Sequence, residues 1–205
     1  MKVFRKKIAG IAAGILCVSM LGGCAAAGTT DQTETDAAVE TVDDTASETA
    51  ADNVGAFTTT DIDGNEYTEA VFAEHDLTLL NLFATWCTPC VQEIPELEKL
   101  SQEMAEMGVG VVGVVLDTKD ENGEEVQESI DLAKQLAEQT GATYPFLMPG
   151  DTDMNGLLSD LTAFPTTYFV DKDGNIVGDS YMGSHDLEGW KEIVEKELAR
   201  MQEAK

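Results

Sequence analysis

Hydrophobic and polar positions along the chain follow two different periods, and the places where the period changes outline the fold. Residues 77–85, "LTLLNLFAT", are apolar on both faces, as in a strand buried within a sheet. Residues 109–116, "VGVVGVVL", read the same way. A short strand near 57–61, the Asp63-Gly64 turn and a second short segment at 66–68 predict a hairpin. Between the buried strands the pattern shifts to the helical period. A helix is expected from about 88 to 107, interrupted by Pro95. Another is expected over 124–139, with Val126, Ile130, Ala133, Leu136 and Ala137 on one face. Residues 144–148 predict a short strand and 154–161 a short helix. Residues 166–183, "TTYFVDKDGNIVGDSYMG", predict two strands joined at Asp173-Gly174, and 186–201 a terminal helix. Strands alternating with helices argue an α/β domain built on a mixed sheet covered on both faces.

The first 53 residues do not fit this pattern. Lys2, Arg5, Lys6 and Lys7 precede an apolar run from Ile8 to about Leu21, which is shorter than a membrane span and reads as the core of a signal peptide. The run ends on Leu21-Gly22-Gly23-Cys24, which resembles a bacterial lipobox; by that resemblance Cys24 is lipidated and begins the mature chain. An uncleaved N-terminal anchor is the alternative. Residues 25–53 are almost entirely Ala, Thr, Asp and Glu, without an aromatic residue. Such a stretch buries too little apolar surface to offset its ordering entropy, so it is read as an acidic, self-repelling tether. The organisation expected is a leader at 1–23, a lipidated Cys24 with tether at 24–53, and a folded domain at 54–205.

Charge narrows the partners. The chain carries 12 basic and 39 acidic residues, net −27; without the leader it carries 8 against 39, net −31. No Lys or Arg lies between Ile8 and Glu98. Nucleic-acid binding is excluded, because phosphate contacts need cationic side chains. Anionic headgroups repel the same surface, so membrane attachment would rest on the lipid at Cys24.

Four cysteines reduce to two once Cys17, in the leader, and Cys24 are set aside. Cys87 and Cys90 form a C-x-x-C, which is compatible with half a zinc site, a structural disulfide or a redox pair. Zinc needs four ligands, and no second cysteine pair is present. A four-residue loop constrains little unfolded-state entropy, so a purely structural bridge has little to do in a domain of this size. As a redox pair, the two cysteines have distinct places. Cys87 lies at the junction of the 77–85 strand and the following helix, where free N–H groups and the helix dipole favour a thiolate. Cys90 is one turn inward and expected to be less exposed. Pro89 removes an N–H that the first turn leaves unpaired anyway, and Thr88 is the position expected to tune the potential.

Taken together, "NLFATWCTPCVQEIPELEKL" and, about 75 residues later, "FPTTYFVDKDGNIV" resemble the thioredoxin fold. They are most similar to its membrane-anchored TlpA/ResA-like branch of extracytoplasmic thiol-disulfide oxidoreductases, over about residues 55–202. The resemblance implies a central mixed β-sheet flanked by helices, with an N-terminal β-hairpin and an inserted helical segment. It implies a cis-proline at Pro165, with Phe164 lending its backbone and ring to a substrate groove. It implies a buried Glu93 with a raised pKa that exchanges a proton with Cys90. Asn81 stands where thioredoxin has a buried aspartate, a departure that moves proton handling toward Glu93. Trp86 is expected to pack beside the thiolate and to contact substrate; His75 and His185 are expected to be surface residues.

No cofactor beyond the Cys87–Cys90 pair, and no metal, is implied. The resemblance leans toward reduction of disulfide-containing protein substrates, such as apocytochrome c or an exported methionine sulfoxide reductase. Electrons would come from a CcdA-like membrane donor. A disulfide-forming oxidase or isomerase, a thiol peroxidase and a non-catalytic binding lipoprotein are the alternatives. Peroxide chemistry in this fold leans on an arginine near the thiolate, and the only arginine after the leader is Arg200, in the last helix.

Overall fold

In the computed structural model, residues 52–203 are described; the leader, Cys24 and most of the expected tether lie outside them. An antiparallel hairpin comes first, β1 (Thr58–Thr60) and β2 (Glu66–Thr68), followed by a 3₁₀ segment at Glu69–Glu74. Then come β3 (Leu77–Phe83), α1 (Thr88–Met104), β4 (Val109–Val115), α2 (Gln127–Thr140), β5 (Phe146–Leu147), β6 (Thr166–Asp171), β7 (Ile176–Met182) and α3 (Leu187–Glu203). The five-stranded sheet has the order β5-β4-β3-β6-β7. β3, β4 and β5 are parallel, and β6 and β7 run antiparallel to their neighbours. This is the expected mixed α/β thioredoxin fold.

All seven residues of β3 are buried, and their alternation feeds two separate cores. Leu77, Leu79 and Phe83 face one core with Ile94, Leu97 and Leu100 of α1, Ile130 and Ala133 of α2, and Trp190 and Val194 of α3. Leu80 and Leu82 face the other, with Phe57, Phe72, Met154 and Leu157. All three helices therefore contribute to the same core. Successive steps β3 to β4 to β5 move the same way across the sheet, and right-handed crossovers then put α1 and α2 on one face. The segment carrying α2 and β5 sits between β4 and the return to β6.

The opposite face departs from the sequence pattern. The helix expected over 154–161 is absent, and these residues form turns. Met154, Asn155 and Gly156 have φ of 52°, 56° and 99°, a left-handed run that a right-handed helix cannot incorporate. Met154 and Leu157 are buried all the same, so their apolarity reflects core packing without a helix. Pro95 does not interrupt α1 either. The helix continues through it to Met104 and closes through a 3₁₀ turn onto Gly108 at φ 76°. Proline removes one hydrogen bond, and the buried stripe Cys90, Ile94, Leu97, Leu100 and Met104 holds the helix despite the loss.

Two hairpins use the same five-residue device, Asp61-Ile62-Asp63-Gly64-Asn65 and Asp171-Lys172-Asp173-Gly174-Asn175. In each, the first aspartate accepts from two backbone N–H groups and from the asparagine amide. The glycines sit at φ 88° and 81°, where a side chain is disfavoured. The carbonyl of Asp52 accepts from Ile176, and the Asn53 amide bonds Asn175, which ties both residues to the second hairpin.

Candidate redox site

Cys87 is the N-cap of α1, directly after the C-terminal end of β3, and Cys90 lies one turn into the helix. The two form a disulfide, with Cα atoms 5.3 Å apart. The Cys90 N–H points at Cys87 Sγ (3.4 Å), so the cap side chain takes one of the donors that a helix start leaves free. Cys87 is 5% exposed and Cys90 1%, the expected order. Thr88 and Pro89 occupy the first turn and are exposed.

Glu93 is one further turn along and only 1% exposed. Its Oε1 accepts from the His185 backbone N–H (2.8 Å) and the Trp190 indole N–H (3.0 Å). Its Oε2 accepts from the Asn81 amide (3.2 Å), which in turn donates to Thr167 Oγ1 (3.0 Å). Burial pushes the Glu93 carboxyl up to about 7, and the three donors hold it back only in part. With Oε1 taken twice, Oε2 has the capacity left for a proton. Cys90 and Glu93 are i and i+3 on the buried side of α1, the spacing at which helix side chains are neighbours. Nearby in the same core is the ring of Tyr144, whose hydroxyl finds no partner among the described residues; burial pushes it well above its ordinary value, with the charges of Glu93 and Glu98 adding.

The Phe164–Pro165 bond is cis, and the Pro165 carbonyl accepts from Gly183. Trp86 is 67% exposed and meets Phe164 edge to face at 5.8 Å between centroids. Most of the Trp86 indole thus faces solvent. Met182, opposite Thr166 in the β6–β7 pair, is exposed as well and accepts a contact from Thr162 Oγ1.

The histidines divide. His75 lies over Gly110, near the start of β3 and β4 and so at the opposite end of the sheet from Cys87. His185 is not the plain surface residue expected: it is half-buried, its ring stacks edge-on against Trp190 at 4.8 Å, and its N–H binds Glu93. Arg200 is engaged on α3 by Asp179 (2.9 Å) and Glu197 (3.5 Å). Sequence reasoning did not reach Trp190, Thr167 or the His185 backbone, because their link to Glu93 and Asn81 crosses 86 to 97 residues.

A family model described as the AhpC/TSA family matches residues 50–178. The chain belongs to the AhpC/TSA family. Among solved structures, this AhpC/TSA protein is similar to a thiol:disulfide interchange protein, a thioredoxin family protein from Chlorobium tepidum TLS. The identity is 23% over 74% of this chain and 99% of that one, with a TM-score of 0.57. A DsbF homologue from Corynebacterium diphtheriae follows at 18% identity over 70% and 85%, TM-score 0.56. The exposed lipoprotein thioredoxin of Streptococcus pneumoniae strain TIGR4 has 20% identity over 69% and 99%, TM-score 0.51. At these identities the likeness establishes the fold. No curated protein matches this AhpC/TSA chain.

Proposed function

We propose that the protein is an extracytoplasmic thiol-disulfide oxidoreductase working as a reductase. The observation that carries the reading is the pairing of a Cys87 N-cap with a Cys90 one turn inward and a buried, proton-competent Glu93 behind it. Thiolate Cys87 attacks a substrate disulfide, forming a mixed disulfide and releasing one substrate thiolate. Cys90 gives its proton to Glu93 and attacks Cys87 Sγ. The second substrate sulfur leaves as a thiolate and takes its proton from solvent, Glu93 releases the proton it received to solvent in turn, and the pair ends as the Cys87–Cys90 disulfide, two electrons having passed to substrate. Trp86, Phe164 and Pro165 border the place where the substrate strand would lie, and Thr88 and Pro89 tune the pair from the first turn.

The expected leader and lipobox support a mature chain lipid-anchored through Cys24 on the outer face of the cytoplasmic membrane. Among the described residues no helix is long and apolar enough to cross a membrane. A CcdA-like membrane donor would return the pair to the dithiol. Protein disulfides are the proposed substrates, in cytochrome c maturation or in support of a methionine sulfoxide reductase. The names of the similar structures, a thiol:disulfide interchange protein and a lipoprotein thioredoxin, support this reading. A peroxidase is less well served, because Arg200 is held on α3 by two carboxylates. In a dithiothreitol-driven assay the protein is expected to accelerate reduction of insulin disulfides. Consumption of hydrogen peroxide with insulin left untouched would overturn the proposal in favour of a peroxidase.

A further inference from the structure

Asp117 follows β4 in a 3₁₀ turn at Leu116–Thr118, at the end of the sheet where β3 delivers Cys87. Its carboxylate reaches across to the segment leading into the cysteines. Oδ1 accepts from the Thr85 backbone N–H (3.0 Å), and Oδ2 accepts from the Thr85 hydroxyl. Thr85 is itself buried. The chain then turns, the Cys87 N–H bonding the Ala84 carbonyl (3.1 Å), so residues 84–87 form one tight turn with Thr85 and Trp86 at its corners. Nothing regular holds this turn: β3 ends at Phe83 and α1 starts at Thr88. The two bonds to Asp117 hold both donors of one corner residue, its N–H and its hydroxyl, in the turn that leads into Trp86 and Cys87.

We infer that Asp117 is a positioning residue for the attacking thiol, acting through Thr85. It touches neither sulfur nor substrate in this account. The inference rests on the assignment of Cys87 as the attacking cysteine. Two effects of opposite sign separate positioning from charge. A negative charge near a developing thiolate disfavours it, so charge alone makes removal of Asp117 raise Cys87 reactivity. Loss of a pinned geometry lowers it, because small misplacements of a reacting group are costly.

The test is the second-order rate constant of the reduced protein with 5,5′-dithiobis(2-nitrobenzoate), measured well below each variant's unfolding temperature. Asp117→Ala and Thr85→Val are each expected to lower it by about 10- to 100-fold. The double variant is expected to be no slower than the worse single one, as for partners in one interaction. Asp117→Asn and Thr85→Ser, which keep hydrogen-bonding groups in place, are expected to stay near wild type. A rate in Asp117→Ala that equals or exceeds that in Asp117→Asn, or a lowered unfolding temperature with unchanged rates in Asp117→Ala and Thr85→Val, overturns the inference. If Asp117→Ala does not fold, Thr85→Val against Thr85→Ser decides it. Wild-type insulin reduction is run alongside. A chain inactive on insulin, with these rate differences intact, discards the oxidoreductase reading and keeps the positioning role.

Discussion

Cys90→Ser is expected to convert the protein into a trap, accumulating dithiothreitol-sensitive mixed disulfides through Cys87. The physical reason is the separation of roles along α1. Cys87 at the N-cap faces the free N–H groups and the positive end of the dipole, which stabilise the attacking thiolate. Cys90 is buried, with its Cα 5.3 Å from that of Cys87, so resolution is intramolecular and enjoys a high effective concentration. Without Cys90 only slow encounters with external thiols release the substrate. Cys87→Ser should form no adducts and lose exchange by more than about 10³-fold, as when a nucleophile is removed. Non-reducing gels followed by mass spectrometry of the captured peptide check both. Adducts formed by Cys87→Ser, through Cys90, would reverse the two roles.

The second large effect belongs to Glu93. Its carboxyl rises from an ordinary 4.5 to about 7 on folding, mainly through burial. Between those values the folded protein holds a proton that the unfolded chain has released. Stability from this group is therefore full below about pH 4.5 and declines as pH rises through about 7. Glu93→Gln cannot ionise, so its stability relative to wild type is expected to climb by roughly 2.5 kcal/mol between pH 5 and pH 8. Paired denaturant titrations at several pH values measure the difference and cancel contributions from the many surface carboxylates. A pH-independent difference would mean that Glu93 titrates like an exposed side chain. The gain in stability should accompany a loss of function. Without a proton acceptor behind Cys90, resolution is expected to slow on the order of 10²-fold.

What the sequence disclosed follows from where the decisive interactions are local. β3 and β4 were legible because strands buried on both faces are continuous apolar runs. The hairpins were legible because Asp-Gly pairs announce a turn, and the cysteine roles because strand and helix meet at Cys87. The helix expected over 154–161 fails because apolar spacing alone does not distinguish a helix from turns whose apolar residues are also buried; Asn155-Gly156 is a turn signal, and within the left-handed run only Met154 gives none. Resemblance pointed to Glu93 and Asn81, but the two donors on Glu93 Oε1 come from α3 and the loop before it, beyond the reach of any local pattern. His185 reads as a surface residue in the sequence because its contribution is a backbone N–H, which every residue but proline carries. Asp117 is one of 39 acidic residues, and in the sequence only its place directly after a buried strand, level with the cysteines, sets it apart.

The equilibrium reduction potential of the Cys87–Cys90 pair, measured against glutathione, tests the central claim most directly. A reductase must hold its electrons at a potential low enough to give them to protein disulfides. The account predicts a value closer to the ~−270 mV of thioredoxin than to the ~−120 mV of DsbA. A value at the oxidising end would contradict it and mark the protein as a donor of disulfides.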